Sequence, residues 1–294
     1  SPWVDFVIRE ISAPGTADLR PEVEATLYET LAAVSRAHQE PEGALRRQTR
    51  AVQLWESAGD LRSAARARLN ATELQVGLGC YEQALEGVAV ILHDVARLEM
   101  DPLVAAALGQ KGAALTRQGC EAEGARELDR ALALCEQVGD RSALPQKLRL
   151  LVAENLHSAG ELTAAEALLE ELALSATAQA VHAGALARLA WVLIDRGFAE
   201  RALATSIRGM EVYEDLGDGA AAAQCDLVLG LGHALALMGT GDAERARSVL
   251  QQTHDLLTER AASLVDEALQ ASFLGAVPIH ARIVALSTEW MAPR

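Results

Sequence analysis

The sequence predicts an all-α solenoid of about six stacked helical hairpins followed by C-terminal capping helices, and three observations carry that prediction. A small residue recurs with a second one twelve positions later at Ala32/Ala44, Thr72/Ala84, Gly112/Gly124, Ala153/Ala165, Ala190/Ala202 and Ala234/Ala246, with successive pairs stepping by 40, 40, 41, 37 and 44 residues. Self-similarity near 40 residues marks stacked supersecondary units, each touching only its neighbours. Glycines at 79, 119, 160, 197 and 241 each fall five positions before the second small residue of a pair, where a helix ends in the left-handed conformation that glycine adopts most readily. Half the residues are hydrophobic but only 3% aromatic, so the packing surfaces are Ala, Leu and Val, which suit close helix contacts.

In chain order, residues 1–21 hold Pro2, Pro14 and Gly15 and read as an N-terminal segment or linker. The repeat array covers 22–260, with first and second helices expected at 22–38/41–57, 62–78/81–98, 102–118/121–137, 142–159/162–174, 177–196/199–215 and 220–239/242–258. The second small residue of each pair sits where the second helix crosses the first, and a bulky side chain there overpacks the crossing at a cost of about 1–3 kcal/mol. In 81–98, Tyr81, Ala84, Leu85, Val88, Ile91 and Leu92 keep the spacing of an amphipathic helix. Ala58-Gly59-Asp60, Val138-Gly139-Asp140 and Leu216-Gly217-Asp218 punctuate alternate unit boundaries, with Gly ending one helix and Asp suited to cap the next. Residues 261–294 read as two capping helices, Ser263–Gly275 and Ile279–Glu289, around Val277-Pro278. Their task is to cover the apolar face that a solenoid leaves at its end.

Composition excludes several function classes. The net charge is −15 and Lys occurs only at 111 and 147, whereas a nucleic-acid binder needs a basic stripe to neutralise phosphates. The Arg46, Arg47, Arg50 and Arg62, Arg66, Arg68 groups lie on helices beside acidic residues and read as solvated faces. Cys80, Cys120, Cys135 and Cys225 are scattered without CxxC spacing, which fits thiols in a reducing compartment and leads to a cytoplasmic expectation. No apolar run of about twenty residues is present for a membrane span. The chain begins Ser1-Pro2 without methionine, so an excised piece of a longer protein is expected.

Catalytic and metal motifs fail on context. Glu121/Glu123 and Glu170/Glu171 are too close along a helix to face a shared cleft. The seven histidines have no HExxH spacing, and Gly230, Gly232, Gly239 and Gly241 follow no strand. There is no GxxxxGK[ST] loop and no G-x-S-x-G elbow. No catalytic residue, metal ligand or cofactor is assigned, and the chain is expected not to be an enzyme.

These residues resemble the tetratricopeptide repeat (TPR) family over about 22–260. Small residues at its eighth and twentieth consensus positions, Gly near the fifteenth and the aromatic Tyr81 at the seventeenth carry the match. The period is that of the family's roughly 40-residue variety, found in bacterial signal-transducing regulators. The segment Ser272–Ile283 is similar to the end of such arrays in large ATP-dependent transcription activators. The resemblance implies a right-handed superhelical solenoid that binds partners in a concave groove lined by the first helix of each unit. Carrying the family's groove positions over names Glu29 and Arg36, then Arg66, Leu69 and Glu73, then Arg117. Next come Lys147, Leu150, Glu154 and His157, then Trp191, Ile194 and Asp195, and finally Val228, Leu231, Leu235 and Met238.

The resulting series is charged first and apolar later. Its later half is expected to hold an apolar partner with Trp191 as anchor and Glu154 and Asp195 orienting a donor. The competing reading makes Trp191, Leu231 and Leu235 core residues. The implied function is a non-catalytic interaction or sensing module of a bacterial signalling or transcription-regulatory protein, with a protein, a peptide or a small-molecule effector as partner. A free-standing peptide-binding adaptor and an effector-binding arm controlling an attached ATPase or protease are the alternatives. Oligomeric state is left open.

Overall fold

A computed structural model describes residues 20–95, 101–215 and 226–291, and among these every regular element is a helix. The first three hairpins are α1 (Pro21–Ala37) with α2 (Pro41–Ser57), α3 (Leu61–Gly77) with α4 (Tyr81–Val95), and α5 (Asp101–Arg117) with α6 (Glu121–Gln137). The next three are α7 (Leu144–Ser158) with α8 (Leu162–Ser175), α9 (Gln179–Asp195) with α10 (Ala199–Glu214), and α11 (Asp226–Gly239) with α12 (Ala243–Ala262). Two further helices follow, α13 (Glu267–Gly275) and α14 (Pro278–Met291). Each helix packs on the next in sequence, and the first helices of successive hairpins also touch, which is the stacking of a solenoid.

The residues dictate these joints. All twelve members of the small-residue pairs are buried. At the crossing of the third hairpin, a Cβ on Gly112 would lie 2.6 Å from Leu128 Cγ and 3.1 Å from the Gly124 carbonyl. Every within-hairpin turn closes with the same six-to-one hydrogen bond, as in Cys80 N to Gln75 O and Cys120 N to Leu115 O, both 2.9 Å. That bond requires a left-handed residue, supplied by Gly79, Gly119, Gly160, Gly197 and Gly241 at φ between 79° and 91°. The first turn uses a different residue type: Gln39 takes φ 59°, and Glu40 N donates to Ser35 O at 2.9 Å.

Of the anticipated Asp caps, Asp60 accepts from Ser63 N at 3.1 Å and caps α3. Asp140 instead accepts from Ser142 N at 2.7 Å, and α7 starts only at Leu144, with Pro145 in its first turn. Asp218 lies outside the described residues, as does most of the N-terminal segment. The helix expected at 263–275 begins at Glu267, where Asp266 accepts from Ala268 N and Leu269 N. Cys80, Cys120 and Cys135 are free thiols. Among the described residues no single helix is long and apolar enough to cross a membrane.

The C-terminal helices do more than cover the last hairpin. Phe273, Ile283 and Leu286 share a core with Leu227, Leu231, Leu250 and Leu257, and Leu78 from the second hairpin joins the same core. Tyr81 Oη donates to Ala276 O at 3.1 Å, Val265 N donates to Glu42 Oε2 at 2.6 Å, and Arg260 Nε donates to Gln39 Oε1 at 2.6 Å. The end of the array therefore folds back onto its first two hairpins.

Candidate functional site: a cavity ringed by the first helices

That closure leaves a cavity of about 700 Å³, within the range of small-ligand sites, roughly 300–1,000 Å³. Its wall follows a regular course. It takes Arg36 from the last turn of α1, Glu73 to Gly77 from the last turns of α3, and Gln110 to Arg117 from the second half of α5. It then runs the length of α7, from Lys147 to Ser158, uses Ala180 to Val192 of α9, and touches only Leu227 and Val228 at the start of α11. The lining stretch thus moves from helix C-termini to helix N-termini along the array. Phe273, Val277 to His280 and Arg282 close the ring.

Charged side chains tie neighbouring first helices together across this wall. Arg36 of α1 donates to Glu73 of α3 at 3.2 Å. Arg117 of α5 donates to both oxygens of Glu154 on α7, at 2.7 and 3.2 Å, and Arg188 of α9 donates to the same carboxylate at 3.2 Å. Burial alone raises the Glu154 pKa, but the Arg117 and Arg188 charges and hydrogen bonds outweigh it and bring it down to about 2. The Arg117 guanidinium is correspondingly held charged: burial opposes its charge, and the facing Glu154 more than compensates. His157 Nε2 lies 2.6 Å from Asp195 Oδ2, and the His157 ring meets Trp191 edge to face with centroids 5.1 Å apart. His280 is buried against Phe273 and donates from Nδ1 to the Phe273 carbonyl at 2.7 Å. Burial pushes its pKa down to about 4, against that hydrogen bond and in concert with the Arg117 and Arg260 charges. It is therefore a neutral ring at pH 7.

Of the residues named from the groove register, Arg36, Glu73, Arg117, Lys147, Leu150, Glu154, His157, Trp191 and Val228 line the cavity, and Asp195 sits beside His157. Trp191 is half-buried on the wall, not enclosed in the core. Seven other named residues do not line the cavity: Glu29, Arg66, Leu69, Ile194, Leu231, Leu235 and Met238. Arg66 lies on the first turns of α3, away from the cavity, and pairs with Glu29 at 3.4 Å. Leu231 has 0% exposure and belongs to the core shared by α11, α12 and the C-terminal helices, with Leu235 packed against it. The wall takes only the last turns of α3 and the first residues of α11, which leaves the beginning of α3 and the middle of α11 off it. The expected gradient from charged to apolar is also not kept, because Arg188, Arg260 and Arg282 stand on the later side. Of these, Arg188 had a readable signal, 34 residues after Glu154 on the next first helix. Arg260, Arg282, Phe273 and His280 had none, since only ring closure brings them to the wall.

No protein-family model matches the chain, and no curated protein matches it. Solved structures do. A Rap protein complexed with competence and sporulation factor superposes with a TM-score of 0.67 at 15% identity, over 98% of this chain and 82% of that one. The apo form of RapI superposes with a TM-score of 0.50 at 11% identity, over 96% and 90%. At such identities the likeness establishes the fold: a TPR-like helical-repeat solenoid.

Proposed function

We propose that this chain is a non-catalytic regulatory binding module of a bacterial signalling protein, and that it takes a short peptide into the central cavity. The observation that carries this reading is that one cavity touches the first helix of all six hairpins and the C-terminal closure at once. An occupant there is felt along the whole array, because Arg117, Glu154 and Arg188 already couple three hairpins through one carboxylate. A ligand that prefers one curvature of the ring shifts the population toward it. The same wall suits binding better than catalysis: Glu154 is fixed as an anion by two guanidinium groups, and His280 is turned to a backbone carbonyl. That a structural neighbour is a Rap protein complexed with competence and sporulation factor supports placing a signalling ligand in such a ring. The cavity volume is equally compatible with a small effector controlling an attached ATPase or protease. That second reading places its occupant against the same residues.

Thermal-shift screening of short peptides against wild type and Trp191→Ala tests the proposal, because a ligand that binds only the folded state raises the melting temperature. The expected result is a peptide-dependent rise that Trp191→Ala loses while its own unliganded melting temperature stays within a few degrees. Absence of a shift with every peptide, or a shift that Trp191→Ala fully retains, counts against the cavity as the binding site.

A further inference from the structure

Resting on the cavity as the binding site, we infer that its occupant is an acidic peptide: a few apolar residues carrying carboxylates that Lys147 and Arg282 receive. The chain as a whole has 41 acidic residues against 26 basic ones, yet the cavity wall inverts that balance. Arg36, Arg117, Lys147, Arg188, Arg260 and Arg282 line it, against only Glu73 and Glu154. Counting the carboxylates just behind the wall, Asp195 beside His157 and Asp226 beside Arg260 at 2.9 Å, still leaves cations in excess. A concave wall of one sign focuses its potential on whatever enters.

The pairing pattern sharpens the sign. Both wall carboxylates are engaged, Glu73 by Arg36 and Glu154 by Arg117 and Arg188. A basic ligand would compete with a guanidinium at either. The side chains of Lys147 and Arg282, by contrast, make no hydrogen bond or ion pair among the described residues, and both are exposed at the wall. Lys147 stands in the first turn of α7 and Arg282 near the start of α14, where the unpaired N–H groups of a helix add positive potential. Leu150, Leu151, Val181, Val228, Pro278 and Ile279 line the same cavity. A bare anion leaves that apolar surface unfilled, whereas a short peptide with both kinds of side chain covers it.

The test uses the full chain and three sets of five-residue peptides with matched apolar residues, bearing two Asp or Glu, two Lys or Arg, or no charged side chain. Succinate and inorganic phosphate are run alongside, with binding followed by calorimetry and thermal shift at two salt concentrations. Acidic peptides are expected to bind best and to weaken with salt. The double variant Lys147→Gln/Arg282→Gln, at two exposed positions and with its fold checked by circular dichroism, should weaken them at least ten-fold. Tighter binding of basic or neutral peptides, or acidic binding unchanged in the double variant, overturns the inference. So does binding of succinate or phosphate with no binding of acidic peptides. If basic peptides bind and Trp191→Ala abolishes that binding, the cavity reading survives and the charge inference falls. If no peptide of any charge binds, both fall.

Discussion

Arg117 grips Glu154 with two hydrogen bonds, from Nε at 2.7 Å and Nη2 at 3.2 Å, across the boundary between the third and fourth hairpins. Arg188 completes the arrangement from the fifth hairpin. The three side chains are only 18%, 21% and 18% exposed, so the charges are largely out of water. Glu154→Gln leaves two guanidinium groups facing each other without an anion, and breaking a buried pair in this way costs about 3–5 kcal/mol. The expected outcome is a loss of about 3 kcal/mol in urea unfolding at pH 7.

The same carboxylate sets part of the acid limb of stability. Its pKa is about 2 in the folded chain against an ordinary 4.5, so the unfolded chain binds the proton first as pH falls. The contribution is complete above about pH 4.5 and drains away between there and pH 2, amounting to roughly 3 kcal/mol. Denaturant midpoints across that range should fall for wild type. Glu154→Gln should flatten that part of the curve.

His280 governs a separate window. Its folded pKa of about 4 lies below the ordinary 6.5, so between these values the unfolded chain holds a proton that the folded chain refuses. Stability is therefore full above about pH 6.5 and declines toward pH 4, by up to about 3 kcal/mol. His280→Gln should make this decline shallower than in wild type, the remainder being carried by His233, whose pKa burial also lowers. A slope identical to wild type would place the titrating group elsewhere.

The fold was legible wherever a feature depends only on sequence neighbours. Ala32/Ala44 through Ala234/Ala246 mark the crossings because a hairpin needs small residues there whatever the rest of the chain does. Gly79 and its counterparts mark the turns for the same reason. The first turn is not marked in the sequence, since the left-handed φ of 59° at Gln39 occurs in a residue type that carries no such signal. The cavity wall was legible on the middle helices, where Glu73, Arg117, Lys147, Glu154, His157 and Trp191 follow one register. The register does not reach the wall at Arg66 and Leu231, because the wall uses the last turns of α3 but only the first residues of α11. The ring closure was out of reach: Tyr81 meets Ala276 across 195 residues, and Val265 meets Glu42 across 223. No local pattern encodes those meetings.

The Gly124 position tests how closely the third hairpin is packed. A Cβ there would fall 2.6 Å from Thr116 Oγ1 and 3.0 Å from the Gly112 carbonyl oxygen. Thr116 is already committed, donating to Gly112 O at 2.9 Å and accepting from Asn155 Nδ2 at 2.8 Å. Gly124→Ala must push α6 off α5 or break this buried network, and a loss of about 1–3 kcal/mol is expected. At Gly77 a Cβ meets nothing within 4 Å. Gly77→Ala should leave stability unchanged or raise it by up to about 1 kcal/mol, and chemical denaturation of the two variants side by side measures the contrast.

The seam between Tyr81 and Ala276 tests whether closure of the ring is held chemically or only by packing. Tyr81 is 6% exposed, and burial raises its phenol pKa to about 12, so the hydroxyl remains a donor throughout the neutral range. Tyr81→Phe keeps the ring and removes only the donor, leaving the Ala276 carbonyl without it at a cost of about 1 kcal/mol. Because the hydrogen bond joins the second hairpin to the turn between α13 and α14, the loss should be local before it is global. Hydrogen exchange is expected to quicken in 276–282 while the crossing helices α5 and α6 keep their protection. Equal quickening in α5, α6 and the C-terminal turn would instead mean that the closure unfolds only together with the array.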